Sequence, residues 1–142
     1  AGSFLVTCPR SNIHLGCGLP DYLAWQREGV KFCYGTDSLA SVPSFDLFAE
    51  ARSVRDILPE DATDVLRRLT LGGAEALELS AVTGSLEPGK AADMVLLRLP
   101  PGAVTEDDVV TLGSPERGAA TMAGGNFLYR SPRPGKRPPA NS

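Results

Sequence analysis

The sequence is poor in the side chains that bind metals or form cross-links. Its 142 residues include one histidine and three cysteines. Cys8, Cys17 and Cys33 are odd in number and have no paired spacing, which argues against a disulfide framework and favours a reducing cytoplasm. His14 and Cys17 do not form the C-x2-C or H-x3-H pattern of a zinc knuckle. The three thiols are therefore predicted to be small buried hydrophobic side chains.

Excess charge of one sign and long apolar runs are also missing. The formal net charge is −3, so electrostatics gives no reason to expect nucleic acid or an anionic membrane as a partner. No apolar run reaches the roughly 18 residues that a membrane-spanning helix needs. No charged n-region precedes an apolar stretch, so no secretory signal is predicted. The length and the 42% hydrophobic content are typical of one soluble globular domain, and the absence of a starting methionine leads us to expect processing or a fragment.

One stretch organises the interpretation of the rest. Residues 32–38, Phe-Cys-Tyr-Gly-Thr-Asp-Ser, begin with apolar side chains and reach a glycine, a hydroxyl residue and a carboxylate. This pattern predicts a short buried strand over 30–36 that ends at Asp37. In a barrel of parallel strands the carboxyl ends of the strands face the active site, so Asp37 is a candidate metal ligand or proton carrier. The alternative is a turn in which Asp37 caps the next segment.

A β-loop-α-β unit is predicted around this strand. Residues 3–7 form a first strand that Pro9 ends, residues 10–20 form a loop rich in turn residues, and residues 21–28 form a helix. Such a unit belongs to a parallel sheet with a crossover helix. Because two strands cannot cover both of their faces, we expect the unit to be the end of a barrel whose other strands lie elsewhere.

Further helices and a small sheet are predicted downstream. Residues 45–55 are predicted to be helical, with Phe45, Phe48 and Ala49 forming the inward stripe. The other predicted elements are a helix at 60–70 that breaks at Gly72 and Gly73, a helical piece at 74–79, a strand at 94–99, a helix at 106–110 that Thr105 caps, and a hairpin at 117–130.

Three motifs, in this order, resemble the amidohydrolase superfamily. They are Val-Thr-Cys-Pro-Arg-Ser-Asn at 6–12, the segment 32–38, and Gly-Ser-Leu-Glu-Pro-Gly-Lys-Ala-Ala-Asp-Met-Val at 84–95. The resemblance covers roughly residues 3–130. It is greatest to the branch of cytosine deaminases, guanine deaminases and chlorohydrolase-like enzymes, and weaker to the dihydroorotase and urease-like branch.

The resemblance implies an α/β fold in two parts. Residues 1–83 would form the last strands and helices of a (β/α)8 metal-dependent hydrolase barrel, with its closing helices. Residues 84–130 would form the C-terminal part of a small β-sandwich domain. Residues 131–142, rich in proline and basic side chains, are predicted to be a disordered tail.

The resemblance also implies a site centred on Asp37. At the end of the eighth barrel strand, Asp37 would bind one divalent metal, zinc or iron, and would carry a proton from the attacking water to the leaving amine. The reaction would be deamination of a small ring compound through a metal-bound hydroxide. Asn12 and Ser41 would shape the substrate pocket or support Asp37, and Thr36 and Ser38 would donate hydrogen bonds to it. Turn capping is the alternative role for Asn12 and Ser41.

The family pattern requires histidines that this chain does not contain. The family pattern has a His-x-His on the first strand and further histidines on the fifth and sixth strands. The one histidine of this chain, His14, is predicted to lie in the loop after the seventh strand. One carboxylate cannot replace the roughly three or four protein ligands that such a metal takes. We therefore expect the chain alone to bind no metal and to be inactive, with a missing N-terminal barrel segment or another copy of the chain as its partner. The alternatives are a catalytically dead homologue, a structural subunit, or a hydrolase acting on C–Cl bonds.

Overall fold

The computed structural model describes residues 3–132. In chain order the elements are β1 (Leu5–Thr7), α1 (Pro9–His14), α2 (Tyr22–Arg27), β2 (Phe32–Tyr34), α3 (Leu47–Arg52), α4 (Ala62–Leu69), α5 (Leu71–Ala76), β3 (Met94–Leu97), α6 (Glu106–Leu112), a 3-10 turn (Pro115–Arg117), β4 (Gly118–Ala123) and β5 (Asn126–Arg130). Among these described residues, no helix is long and apolar enough to cross a membrane.

The first sheet is a parallel pair. β1 and β2 lie side by side, with Leu5 opposite Phe32 and Thr7 opposite Tyr34. The chain between them passes through α1 and α2, as a parallel connection requires. β2 is buried along its whole length, whereas β1 is buried only at Thr7. The predicted parallel pairing and the predicted helix near 21–28 are confirmed.

The predicted loop at 10–20 is wrong in its first half, which is helical. Pro9 ends β1, and it also stands at the first turn of α1. Proline suits that position because its fixed φ is already helical and the first N–H of a helix has no intrahelical acceptor. His14 is therefore an exposed residue at the end of α1 and not a loop residue.

The prediction that all three thiols are buried holds only for Cys33. Cys8 is half-buried and Cys17 is exposed. Cys17 lies in the turn after α1, between Gly16 and Gly18, whose φ values are 68° and 77°. Such a turn runs along the surface, so its side chains meet solvent.

An aromatic cluster forms the core behind the parallel pair. Its fully buried members are Tyr22, Phe32, Tyr34, Ala51, Val54 and Leu58. The Tyr22 and Phe32 ring centroids lie 6.0 Å apart, and Trp25 approaches Phe32 at 5.4 Å. The Tyr22 hydroxyl and the Thr7 hydroxyl are 2.7 Å apart and form a hydrogen bond, so the buried phenol is paired and stabilises the packing of α2 on β1.

The predicted inward stripe of the helix at 45–55 is wrong at Phe45, whereas Phe48 and Ala49 are half-buried. Phe45 is 58% exposed, because Asp46 is the N-cap of α3 and accepts the Ala49 N–H at 3.1 Å. Phe45 therefore precedes the helix, and a periodicity counted from it does not apply. The buried face of this segment consists of Glu50, Ala51 and Val54 instead.

The glycine pair does not break the helix predicted at 60–70. That helix is confirmed as α4, which Asp61 caps by accepting the Asp64 N–H at 2.9 Å. The break falls at Thr70, and both Gly72 and Gly73 lie inside α5. A Cβ at Gly72 would lie 3.4 Å from the Cys33 Cβ, so this glycine allows α5 to approach β2 closely.

The second sheet is antiparallel, in the order β3-β4-β5. The turn between β4 and β5 consists of Gly124 and Gly125, whose φ values are 54° and 79°, as a two-residue hairpin with both central residues left-handed requires. Thr105 and Asp108 form a capping box at the start of α6. The predicted strand, capped helix and hairpin are confirmed. The division at residue 84 remains a prediction, and residues 133–142 of the predicted tail lie outside the described residues.

Candidate active site

A carboxylate lies at the carboxyl end of the parallel pair. Asp37 follows β2 and has a φ of 59°. Residues other than glycine seldom adopt this left-handed conformation, although Asp and Asn do so more often than most. An exposed acid in such a backbone, at the strand end where barrel enzymes place their chemistry, is a candidate catalytic group.

Two buried hydroxyls hold the Asp37 carboxylate. The Ser11 hydroxyl donates to Oδ2 at 2.6 Å, and the Ser41 hydroxyl donates to the same oxygen at 2.9 Å. Both serines are buried. Ser11 lies in α1 after β1, and Ser41 lies in the segment after β2, so the clamp joins the carboxyl ends of both strands. We call Ser11, Asp37 and Ser41 the Asp37 clamp.

The clamp changes the acidity of its central residue. The hydrogen bond from Ser11 is the largest cause that holds the pKa of Asp37 below its ordinary value, and the hydrogen bond from Ser41 is the second. Both favour the charged form, because a hydroxyl donor bonds more strongly to a carboxylate than to a carboxylic acid. Asp37 is therefore ionised at neutral pH.

The side chains of the other predicted site residues take no part in the clamp. Within residues 3–132, no hydrogen bond joins the side chains of Thr36, Ser38 or Asn12 to Asp37; the N–H of Ser38 does contribute to the lowered pKa of Asp37. Asn12 lies in α1, next to Ser11, and not in a loop as predicted. Ser41, which was expected to support Asp37, does donate a hydroxyl to it, and Ser11 is the second donor in place of Thr36 and Ser38.

Two residues of this region were not predicted as site residues. Ser11 stands in the first of the three motifs, so its position there was an available signal. Glu50 gave no such signal, because acids in helices usually face solvent. Its side chain is fully buried, and its Oε2 accepts the Arg10 N–H at 2.9 Å. Burial raises the pKa of Glu50, and the hydrogen bond and charge of Arg10 oppose this increase.

The described residues can supply one metal ligand at this place. Within 3–132, no group of three or more His, Cys, Asp or Glu side chains could hold a metal ion. Asp37 fits one ligand position, since it is ionised, exposed and oriented by two donors before anything binds. A zinc or iron site of about three or four protein ligands would need the others from outside these residues.

A cavity lies at the opposite end of the sheet. Its volume is about 390 Å³, and its lining includes Phe4, Lys31, Phe32 and Arg68. Phe4 and Lys31 stand immediately before β1 and β2, so the cavity lies at the amino ends of the strands. Parallel α/β enzymes bind their substrates at the carboxyl ends, and the cavity is therefore not the candidate active site.

The chain is similar to known deaminases, in sequence and in structure, over most of its length. The chain is 36% identical over 105 residues to the 5-methylthioadenosine/S-adenosylhomocysteine deaminase of Teredinibacter turnerae, covering 68% of this chain and 24% of that protein. It is similar in structure to a zinc-bound adenosine deaminase of Xanthomonas campestris, with a TM-score of 0.80 and 31% identity over 89% of this chain and 32% of the other. Guanine deaminase of E. coli also matches, with a TM-score of 0.80, 27% identity and coverage of 92% and 35%.

The chain thus spans about a quarter of the deaminase from Teredinibacter turnerae and about a third of the two solved chains. The model of the amidohydrolase family matches residues 1–128, which confirms the resemblance inferred from the three motifs. These relatives are hydrolases, two of them named as acting on adenosine or guanine and one on adenosine derivatives. The chain belongs to the amidohydrolase family.

Proposed function

We propose that this chain contributes Asp37 to the active site of a metal-dependent amidohydrolase that removes an amino group from a small ring compound. The observation that carries the proposal is the Asp37 clamp, an ionised carboxylate fixed by two buried hydroxyls at the carboxyl ends of two parallel strands. The relatives named above are deaminases, which favours an amine over chloride as the leaving group.

The clamp suits a carboxylate that must both bind a metal and move a proton. A divalent metal at this position would lower the pKa of a water molecule and supply hydroxide at neutral pH. Asp37 accepts the proton that the attacking water loses and passes it to the nitrogen of the leaving amine, so the C–N bond breaks with neutral ammonia as product. Because Ser11 and Ser41 both bond Oδ2, they fix the carboxylate before the substrate arrives and reduce the cost of reorientation.

The remaining metal ligands come from outside the described residues under this proposal. They belong to an N-terminal barrel segment or to another copy of the chain. The 142-residue chain alone then holds no catalytic metal and has no turnover. The odd, unpaired cysteines favour the cytoplasm as the place where this enzyme works.

The test is a chimera that restores the missing part. In the Teredinibacter turnerae deaminase, this chain replaces the segment that it matches, and ammonia release is measured with 5-methylthioadenosine, adenosine and guanine. A chlorinated triazine, assayed for chloride release, tests the C–Cl alternative. We expect zinc binding and ammonia release with at least one purine.

Two outcomes would contradict the proposal. A folded, zinc-loaded chimera that releases no ammonia from any purine would refute deamination. Equal activity of the chimera and its Asp37→Asn variant would refute the role of Asp37. Asp56→Asn is the matched control, because Asp56 is an exposed aspartate whose side chain makes no hydrogen bond to the clamp, and we expect it to keep full activity.

A further inference from the structure

Helix α1 has no side-chain cap of its own. Its N-cap residue is Cys8, which makes no side-chain hydrogen bond to the helix, and its first residue is Pro9, which has no N–H. The N–H of Arg10 is thus the first one of α1 that needs an acceptor from outside the helix. The next residue along the chain is Ser11, a donor of the Asp37 clamp.

A buried carboxylate from α3 provides that acceptor. The Glu50 Oε2 accepts the Arg10 N–H at 2.9 Å, although the two residues are 40 positions apart. Arg10 is held a second time through its side chain, which donates from Nη1 to the Ser44 carbonyl at 3.3 Å and lies 3.7 Å from the Glu50 Oε1. Arg10 therefore has little freedom to shift relative to α3.

Stability alone does not explain why a carboxylate is buried at Glu50. Its side chain is fully buried, and its Oε1 has no hydrogen-bond partner within the described part of the chain. A buried charge is usually no more stabilising than a well-packed apolar side chain of the same volume. What an apolar side chain could not do here is accept the Arg10 N–H.

We propose that Glu50 is a positioning residue for the Asp37 site. Its carboxylate fixes the Arg10 backbone, and this fixes the neighbouring Ser11 hydroxyl at 2.6 Å from Asp37. Glu50 does not touch the reacting atoms; it acts through α1. The effect on turnover rests on the proposed function, whereas the effect on α1 does not.

Two variants of the same length separate the acceptor from the packing. Glu50→Gln keeps an oxygen that can accept the Arg10 N–H, and Glu50→Met has none. In the 142-residue chain, amide hydrogen exchange followed by mass spectrometry reports on peptides that cover α1. We expect exchange in α1 to be about tenfold faster or more in Glu50→Met, because the Arg10 N–H loses its buried acceptor. Glu50→Gln should stay close to the wild type.

Exchange elsewhere distinguishes a local effect from unfolding. Peptides covering α2 and β2 should exchange at the wild-type rate in both variants. Glu28→Met is the matched control, because Glu28 is exposed at the end of α2, and it should leave α1 unchanged. Wild-type exchange of α1 in Glu50→Met overturns the proposal. So does equal acceleration by Gln and Met throughout the chain, since that would make Glu50 a residue of general packing.

Kinetics of the chimera then test the consequence at the site. We expect Glu50→Met to lower kcat about tenfold or more with little change in KM, and Glu50→Gln to restore most of it. In a Ser11→Ala background, Glu50→Met should have little further effect, because the two residues act through the same bond. Additive losses overturn the proposal and leave the proposed function intact. A chimera without any turnover counts against the proposed function, and α1 exchange still decides the role of Glu50.

Discussion

Replacement of Asp37 by asparagine removes the ability to accept and return a proton, and it keeps the shape and the hydrogen bonds of the side chain. An amide has nearly the shape of a carboxylate, and its oxygen can still accept the Ser11 and Ser41 hydroxyls, which now lie 2.6 and 2.9 Å from Oδ2. Asparagine is also among the residues that tolerate a φ of 59°. The variant should therefore fold as the wild type does. It cannot take a proton from water and return it to a leaving amine.

The expected loss of turnover follows from that difference. Removal of a general acid–base group typically costs about 10²–10⁴-fold, and weaker binding of the metal by a neutral amide would add to this. In the chimera, we expect kcat/KM of Asp37→Asn to fall by at least about 10²-fold, with the variant still folded and its melting temperature lowered only slightly. Steady-state ammonia release and zinc content should be measured on the same preparations. Unchanged turnover at full zinc occupancy would refute the role assigned to Asp37 and the interpretation built on it.

Three further predictions concern the chain itself. The isolated chain should be oligomeric or bind an apolar dye, because side chains of its sheet edges such as Val6 remain 59% exposed. Ser11→Ala should raise the pKa of Asp37 towards its ordinary value of 3.8. Since the folded pKa is lowered, the stability that Ser11 provides through Asp37 is present above that value and is lost as pH falls; the difference in melting temperature between wild type and variant should shrink below about pH 4. Gly84→Ala should destabilise strongly, because its Cβ would lie 2.6 Å from the Ala74 Cβ at a φ of 90°.

Each of these has an outcome that contradicts it. Cooperative unfolding of a monomer without dye binding would count against exposed, unpaired surfaces in the isolated chain. A melting-temperature difference for Ser11→Ala that stays constant into strong acid would mean that the hydroxyl stabilises the fold independently of the Asp37 charge. Gly89→Ala is the matched control for Gly84→Ala, since Gly89 has a φ of 93° with nothing within 4 Å of an added Cβ. Equal melting temperatures of the two variants would remove the steric argument.

Local patterns were enough to predict most of the elements. The apolar run before Asp37 predicted β2, and the Gly124–Gly125 turn predicted the hairpin, because these depend on residues close together in sequence. The errors arose where a distant contact decides. Gly72 lies within a helix where α5 approaches β2 closely, and no residue nearby in the sequence indicates this contact. Pro9 was interpreted as the end of a strand and not also as the start of a helix.

The candidate site was predictable only in part for the same reason. Asp37 and Ser41 could be named from the sequence, since both follow a recognisable strand. The contribution of Ser11 depends on the parallel register that brings the ends of β1 and β2 together. Glu50 could not be found, because its partner Arg10 is 40 residues away and its own neighbours suggest an ordinary exposed helix position.

Helix α3 contacts elements on both sides of the predicted boundary at residue 84, and this bears on recombination between members of the family. Its Glu50 accepts a hydrogen bond from α1. Its Arg52 donates to the Val110 and Gly113 carbonyls, at 3.1 and 2.7 Å, near the end of α6. These hydrogen bonds join residues on the two sides of the predicted boundary at residue 84. A recombination event at that point would bring in a foreign α6 whose carbonyls must still meet Arg52. Inheritance of the small sheet is therefore tied, through one six-residue helix, to inheritance of the strand ends beside Asp37.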